Sequence, residues 1–326
     1  MNWSGIGNRQ KSASRGTAGF VLPAVVLEVE PEFVAAARLE GSARAGRSVR
    51  HLGVRALDSS TLAAHPSRPN VANADNLRQT IEEVLTAIGN GSGRIGLIVP
   101  DRVVRAGTLS FETLPDNHHE AAALVRWRMR ENLPFAPDEA RISFQVVSRE
   151  AGHTEVFAIA ARASILGEYE AALGASNGGP VLTLPATATL LPLVPERNST
   201  QLLIHACSGW VTTVIVAGKQ VYSWRTSELA QTAEGNWPRE VAAESTRAVA
   251  SIRDRQHMEI TRAWLCARPP AEGGLISDLK RELGCEIEMI APPRELAGTL
   301  SGEERSLYDH FGAPVAGLVV NSAKNP

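Results

Sequence analysis

His118-His119-Glu120 sets two imidazoles beside a carboxylate, the raw material of a metal site or of acid–base chemistry. Neighbouring residues on a helix diverge by about 100°, so these rings do not converge as an i, i+4 zinc pair does. The apolar run that follows makes them the polar start of a helix instead. Neither a GxSxG nucleophile elbow nor a GxxxxGK[ST] phosphate loop occurs. The carboxylate pairs Glu82-Glu83 and Glu303-Glu304 stand in polar surroundings and read as solvated. Cys207, Cys266 and Cys285 are widely spaced, form no CxxC, and read as buried reduced thiols. No catalytic constellation emerges, and no metal is expected.

Binding chemistry is better represented. The stretch LVRWRMRENLPFAPDEARISFQV, Leu124 to Val146, opens as a basic helix, crosses two prolines and ends as an alternating strand. Pro134 and Pro137 lack backbone donors and disfavour helical geometry in the residue before them, so the chain must turn there. Leu124 and Trp127 are spaced to share an apolar helix face, with Arg126 and Arg130 on a neighbouring one. Tryptophan and arginine are favoured interface anchors. Arg126, Trp127 and Arg130 are therefore candidates for docking an acidic or amphipathic segment, set against the plainer reading of a packed helix with a solvated basic face.

The elements that must position these residues follow from pattern. At 326 residues, 44% hydrophobic and 21% charged, the chain can bury cores for about two domains. A net charge of -2 gives no general attraction to nucleic acid. Residues 1–20 are polar and basic without the apolar centre of a secretory signal, no later run has the length of a membrane helix, and the chain reads as cytoplasmic. PAVVLEVEPEFVAAARL predicts a hairpin closed at Glu30-Pro31-Glu32, with a third strand at SVRHLGVRAL. Asp75 is the expected N-cap of a helix carrying Leu77, Ile81, Val84, Leu85 and Ile88, and RIGLIVP is a buried strand. Residues 101–163 form an α+β insert. From Gln201 the pattern repeats: hairpin and third strand, a long helix from Pro238, the strand AWLCA, a helix and the strand CEIEMIAP.

This order of elements resembles the actin-like type IV pilus assembly family PilM. The specific matches are Val125-Arg126-Trp127, Leu133-Pro134-Phe135-Ala136-Pro137 and Phe144-Gln145-Val146, with EVFAIAARASILGEYEAAL leaving the insert. The resemblance covers roughly Pro23 to Ser322. It implies an α/β, actin-like duplicated fold of the FtsA and PilM type, with a small α+β insert in the first half and a shortened second half. The divisions it implies are a basic arm (1–20), a first core subdomain (21–100 and 164–198), the insert (101–163), a second core subdomain (199–322) and a tail (323–326).

Actin-like proteins typically hold ATP and magnesium between their halves, using Asp-x-Gly hairpin loops and a glycine-rich loop. Here the first motif falls on Glu28-Val29-Glu30, whose carboxylates would repel phosphate. The second falls on His205-Ala206-Cys207, which lacks the metal-associated carboxylate, although Ser208 and Gly209 could still donate to an anion. The third reads Cys266-Ala267-Arg268-Pro269-Pro270-Ala271-Glu272-Gly273-Gly274, where prolines remove donors and the late glycines read as a turn before a helix. Only twelve residues separate Arg225 from Pro238, too few for the family's covering subdomain. The resemblance thus implies a degenerate nucleotide site at Glu28, Glu30, His205, Ser208, Gly209, Gly273 and Gly274, and no cofactor.

As function, the resemblance implies a non-catalytic cytoplasmic scaffold of a pilus assembly machine. Its partner would be the cytoplasmic N-terminal segment of a PilN-like inner-membrane protein, bound between the first core subdomain and the insert, alongside other pilus components. Three alternatives stay open: an active actin-like ATP-binding protein, a cytoplasmic type II secretion component, which usually continues into a membrane segment, and an anion-binding module using Ser208 and Gly209.

Overall fold

The computed structural model describes residues 22–42, 46–89, 95–174, 180–229, 237–268 and 273–324. The basic arm lies outside them. Strand β1 (Val25–Val29) is buried along its whole length and pairs antiparallel with β2 (Phe33–Ser42), closed by reciprocal bonds between Glu30 and Phe33. Strand β3 (Gly46–Ala56) continues the meander. Helix α1 (Ala74–Ala87) follows with Leu77, Ile81, Val84 and Leu85 buried, as its spacing predicts. Its cap is Asn73, whose side chain accepts from the Asn76 N–H, rather than Asp75. Asp75 lies inside the first turn, where it pairs with Arg78 at 3.0 Å and faces the positive end of the helix dipole. Strand β4 (Ile95–Val99) pairs parallel with β1.

After a tight turn at Asp101–Val103 comes the insert: β5 (Val104–Phe111), α2 (His118–Arg128), β6 (Ala140–Glu150) and β7 (His153–Arg162). Strand β7 is the centre of the sheet order β5-β7-β6. Its alternation divides two cores, because successive side chains point to opposite faces. Val156, Ala158 and Ala160 belong to the cluster with α2, whereas Phe157, Ile159 and Ala161 belong to the main core. Asn117 caps α2 by accepting from His119 and Glu120, which makes the histidine pair a helix start as expected. The buried face of α2 departs from expectation. It is Ala121, Val125 and, just past the helix end, Met129, while Trp127 is 52% exposed. The seam thus follows the i, i+4 row through Val125, two positions from Trp127, and the two sit on different sides of the helix.

Helix α3 (Ala163–Ala172) returns the chain to the first sheet, where β8 (Leu182–Pro185) pairs parallel with β4 and leads into the short buried α4 (Ala186–Leu190). The second half contains β9 (Gln201–Cys207), β10 (Trp210–Ala217), β11 (Gln220–Glu228), α5 (Trp237–Gln256), β12 (Arg262–Arg268), α6 (Gly273–Leu283) and β13 (Glu286–Met289). Its sheet order is β11-β10-β9-β12-β13, and the first sheet reads β3-β2-β1-β4-β8. Each is an antiparallel meander of three strands extended by two parallel strands from its first member, so one topology occurs twice.

The last helices, α7 (Gly302–Phe311) and α8 (Ala313–Lys324), pack on the first sheet, α7 against β3 and α8 against α4. The sequence division at 199–322 assigns them to the second half, and their apolar contacts take them to the first. At Gly317 a Cβ would come within 1.7 Å of the Thr189 carbonyl oxygen, so this close approach requires glycine.

Candidate functional site

The first and second sheets meet at the ends of β1, β4, β9 and β12, where the chain places a set of buried ionisable side chains. Alternation puts His205 and Cys207 of β9 on one face, and the parallel register beside β12 sets Cys266 opposite His205 and Arg268 opposite Cys207. From the first sheet come Glu28 at 0% exposure, Glu30 at 3% and Asp101 at 0%. Arg268, 4% exposed, donates to the Glu28 carboxylate and to the Phe311 carbonyl at 3.3 Å. Its guanidinium lies 5.4 Å from the Phe33 ring centre and 5.9 Å from that of Phe311, within cation–π range.

A second polar bridge lies beside the first. Asp101 accepts from the Thr187 N–H at 2.9 Å and from its hydroxyl. His205 Nδ1 approaches Asp101 Oδ2 at 3.0 Å and the Thr187 hydroxyl at 2.9 Å. At the hairpin tips the Ser208 hydroxyl donates to Glu32, so the turn of β9–β10 is bonded to the turn of β1–β2. Trp237 anchors the start of α5 by donating to the Cys207 carbonyl at 2.7 Å.

Burial controls the titration of this cluster. It raises the Glu28 carboxyl above the usual carboxylate range, with Arg268 opposing the rise. Glu30 is pushed well above that range by burial, and then by Glu28 and Asp101. Burial also raises the Cys207 thiol strongly and the Cys266 thiol to about 11, so neither is a thiolate nucleophile at neutral pH. For Arg268 burial opposes the charge, but Glu28 and the surrounding thiols and carboxyls together outweigh it, and its pKa rises. Glu28 Oε2, Glu30 Oε1 and Arg268 Nε are buried and find no partner among the described residues.

The structure thus brings together Glu28, Glu30 and His205, with Ser208 and Gly209 at the adjoining tip, and leaves Gly273 and Gly274 as the first residues of α6. Residues 269–272, the rest of the third loop, and 230–236, most of the link from β11 to α5, lie outside the described residues. Sequence reasoning passed over Asp101, Thr187 and the partnership of Arg268. A charged residue directly after the buried strand β4 was the one local signal for Asp101. The Arg268–Glu28 pairing, 240 residues apart, had none.

The docking candidates on α2 sit elsewhere. Trp127 carries the Arg130 guanidinium 4.3 Å above its ring. Arg126 turns back to donate to the Ala140 carbonyl of β6 at 3.4 Å. Trp127 is among the few large apolar side chains left exposed among the described residues, and its stacked arginine presents cation and ring as one surface.

Two five-stranded sheets of one topology, with buried polar side chains where they meet, define the actin-like fold. A chain in a solved structure of the PilM–PilN type IV pilus biogenesis complex matches 92% of this chain over 98% of its own length, with a TM-score of 0.76 and 18% identity. A Bacteroides thetaiotaomicron protein of actin-like ATPase fold and unknown function matches 81% of this chain over 90% of its own, with a TM-score of 0.51 and 10% identity. In fold the chain is therefore PilM-like. No family model and no curated protein matches it. Among the described residues no helix is long and apolar enough to cross a membrane, and no group of His, Cys, Asp and Glu could hold a metal ion.

Proposed function

We propose that this chain is a nucleotide-independent scaffold of a type IV pilus assembly machine, held at the inner membrane by the cytoplasmic N-terminal segment of a PilN-like protein. The observation that carries the nucleotide part is the Arg268–Glu28 pair. In an actin-like fold the phosphates and magnesium lie between the two hairpins, and here that position is crossed by a buried ion pair. The residues present do not fit a nucleotide. Glu28, Glu30 and Asp101 are buried at the position, a triphosphate would meet carboxyl groups there, and Arg268 is already engaged by Glu28. Ser208, the candidate anion donor, directs its hydroxyl to Glu32. The pilus part rests on the resemblance of the insert motifs and on the fold shared with the PilM–PilN complex. Arg126, Trp127 and Arg130 are the proposed contact residues.

Calorimetric titration with magnesium ATP, with the melting temperature followed in parallel, tests the first part. No heat and no thermal shift at millimolar ATP is the expected result, and saturable micromolar binding would overturn it. Titration with the cytoplasmic N-terminal peptide of a PilN-like protein tests the second part, where absence of binding would remove the proposed partner.

A further inference from the structure

The insert belongs to the first half, yet a row of contacts joins it to β11, the outer strand of the second sheet. Gln220 donates to the Glu155 carboxylate of β7, and the Thr108 hydroxyl of β5 donates to the Val221 carbonyl at 3.0 Å. The ring centre of Trp224 lies 5.9 Å from that of Phe157, with the planes tilted by 40°. Arg102 pairs with Glu228 at 3.1 Å. From Gln220 to Glu228 the contacts run the length of the strand.

Strand geometry prepares both surfaces. Thr108 stands opposite Phe157 in the β5–β7 pairing, and Glu155 is two residues from Phe157, so alternation puts all three on one face of the insert sheet. On β11, Val221 and Trp224 are three apart and would point to opposite faces of a regular strand. A bulge removes the conflict. Val216 is opposite Val221, but Ile215 is opposite Ser223 and Val214 opposite Trp224, so β11 absorbs one extra residue and turns both side chains to the same face. Val214, Val216 and Val221 share one buried cluster with Phe157, Ile159 and Ala161 of the insert. Trp224 packs against that cluster, and its indole N–H is buried with no hydrogen-bond partner among the described residues, so the ring is seated by packing rather than by its polar end.

Two halves of a chain move relative to each other by default, unless the interface between them is large and apolar. Here the insert supplies an apolar interface. We propose that the insert is a clasp: by seating β11 it holds the two halves in one closed arrangement with no ligand between them. The clasp extends the nucleotide-independent reading, on which it rests for its role. Arg268–Glu28 and Ser208–Glu32 tie the halves where the sheets and hairpin tips meet. The seam on β11 ties them again through other elements, and two separate ties remove the rotation that either alone would leave.

Hydrogen exchange of the full chain, read by mass spectrometry, is the test. Peptides covering the hairpin tips at 27–33 and 205–211 report on the junction of the sheets. In the wild-type chain they should exchange slowly, at the same rate with and without millimolar magnesium ATP. Trp224→Ala should speed their exchange about tenfold, the loss of one aromatic pair. Trp224→Phe keeps a ring against Phe157 and should hold the wild-type rate. Glu228→Lys, at a side chain 72% exposed, should melt within a few degrees of the wild type yet speed the same peptides about threefold, and adding Arg102→Glu should reverse this. Wild-type exchange at both tips in Trp224→Ala and in Glu228→Lys would overturn the clasp, as would faster exchange confined to β5 and β11. Slowing of the wild-type tips by ATP would also overturn it, because closure would then need a ligand. Calorimetric ATP binding with unchanged exchange would overturn the nucleotide-independent reading and support the clasp as what closes the halves.

Discussion

Arg268 at the end of β12 and Glu28 in β1 form an ion pair between the two sheets, with side chains 5% and 0% exposed. Removing one partner of a buried pair strands the other charge, whereas replacing both with apolar groups can be nearly neutral. Arg268→Ala should therefore lose about 3–5 kcal/mol of stability in chemical denaturation, and Glu28→Leu with Arg268→Met should recover most of it. A loss below about 1 kcal/mol in the single variant would mean that the pair contributes little to joining the sheets.

Glu30 gives a pH dependence whose sign is fixed by its raised pKa. The folded chain binds a proton that the unfolded chain has already released above the usual value near 4.5. Stability from this group is fully present below that value and falls as pH rises toward the folded pKa. Glu30→Gln should thus melt at a higher temperature than the wild type at neutral and alkaline pH, and the difference should shrink below pH 4.5. A Glu30→Gln curve parallel to the wild type from acid to alkaline pH would contradict the buried, protonated carboxyl.

Trp127 is exposed and stacked by Arg130, so its loss should be felt in binding rather than folding. Trp127→Ala should weaken affinity for a PilN-like N-terminal peptide at least tenfold, in line with an aromatic anchor of roughly 2 kcal/mol. Its melting temperature should stay within a few degrees of the wild type. Equal affinity in titration calorimetry would move the partner site away from α2.

Gly317→Ala should destabilise the chain, because the added methyl would press against the Thr189 carbonyl and push α8 off α4. A cost of about 1–3 kcal/mol is expected in thermal or chemical denaturation. An unchanged midpoint would show that α8 can shift without loss.

Where the pattern was local, the sequence was readable. The Glu30-Pro31-Glu32 turn, the helix bearing Leu77 and Ile81, and the doubled hairpin-helix-strand order are all set by neighbours along the chain. Two local assignments went astray for reasons of geometry. Asn73 and Asp75 are both good caps, and the choice depended on where the loop before α1 ends. Leu124 and Trp127 have apolar spacing, but α2 faces its sheet through Ala121, Val125 and Met129, a choice made by the sheet beneath. The centre of the candidate site was the least legible. Glu28 and Glu30 were visible as departures from a phosphate loop, yet their meaning depends on Arg268, which arrives from the other sheet. Long-range ionic pairing leaves no periodicity to read.

The seating of α8 against α4 also bears on how the molecule is made. The surface of α4 emerges from the ribosome more than a hundred residues before the helix that covers it, a delay on the order of ten seconds. Through that interval the N-terminal half presents an uncovered apolar face. Biosynthesis of this chain should therefore depend on chaperones that shield such a face until α8 has been made.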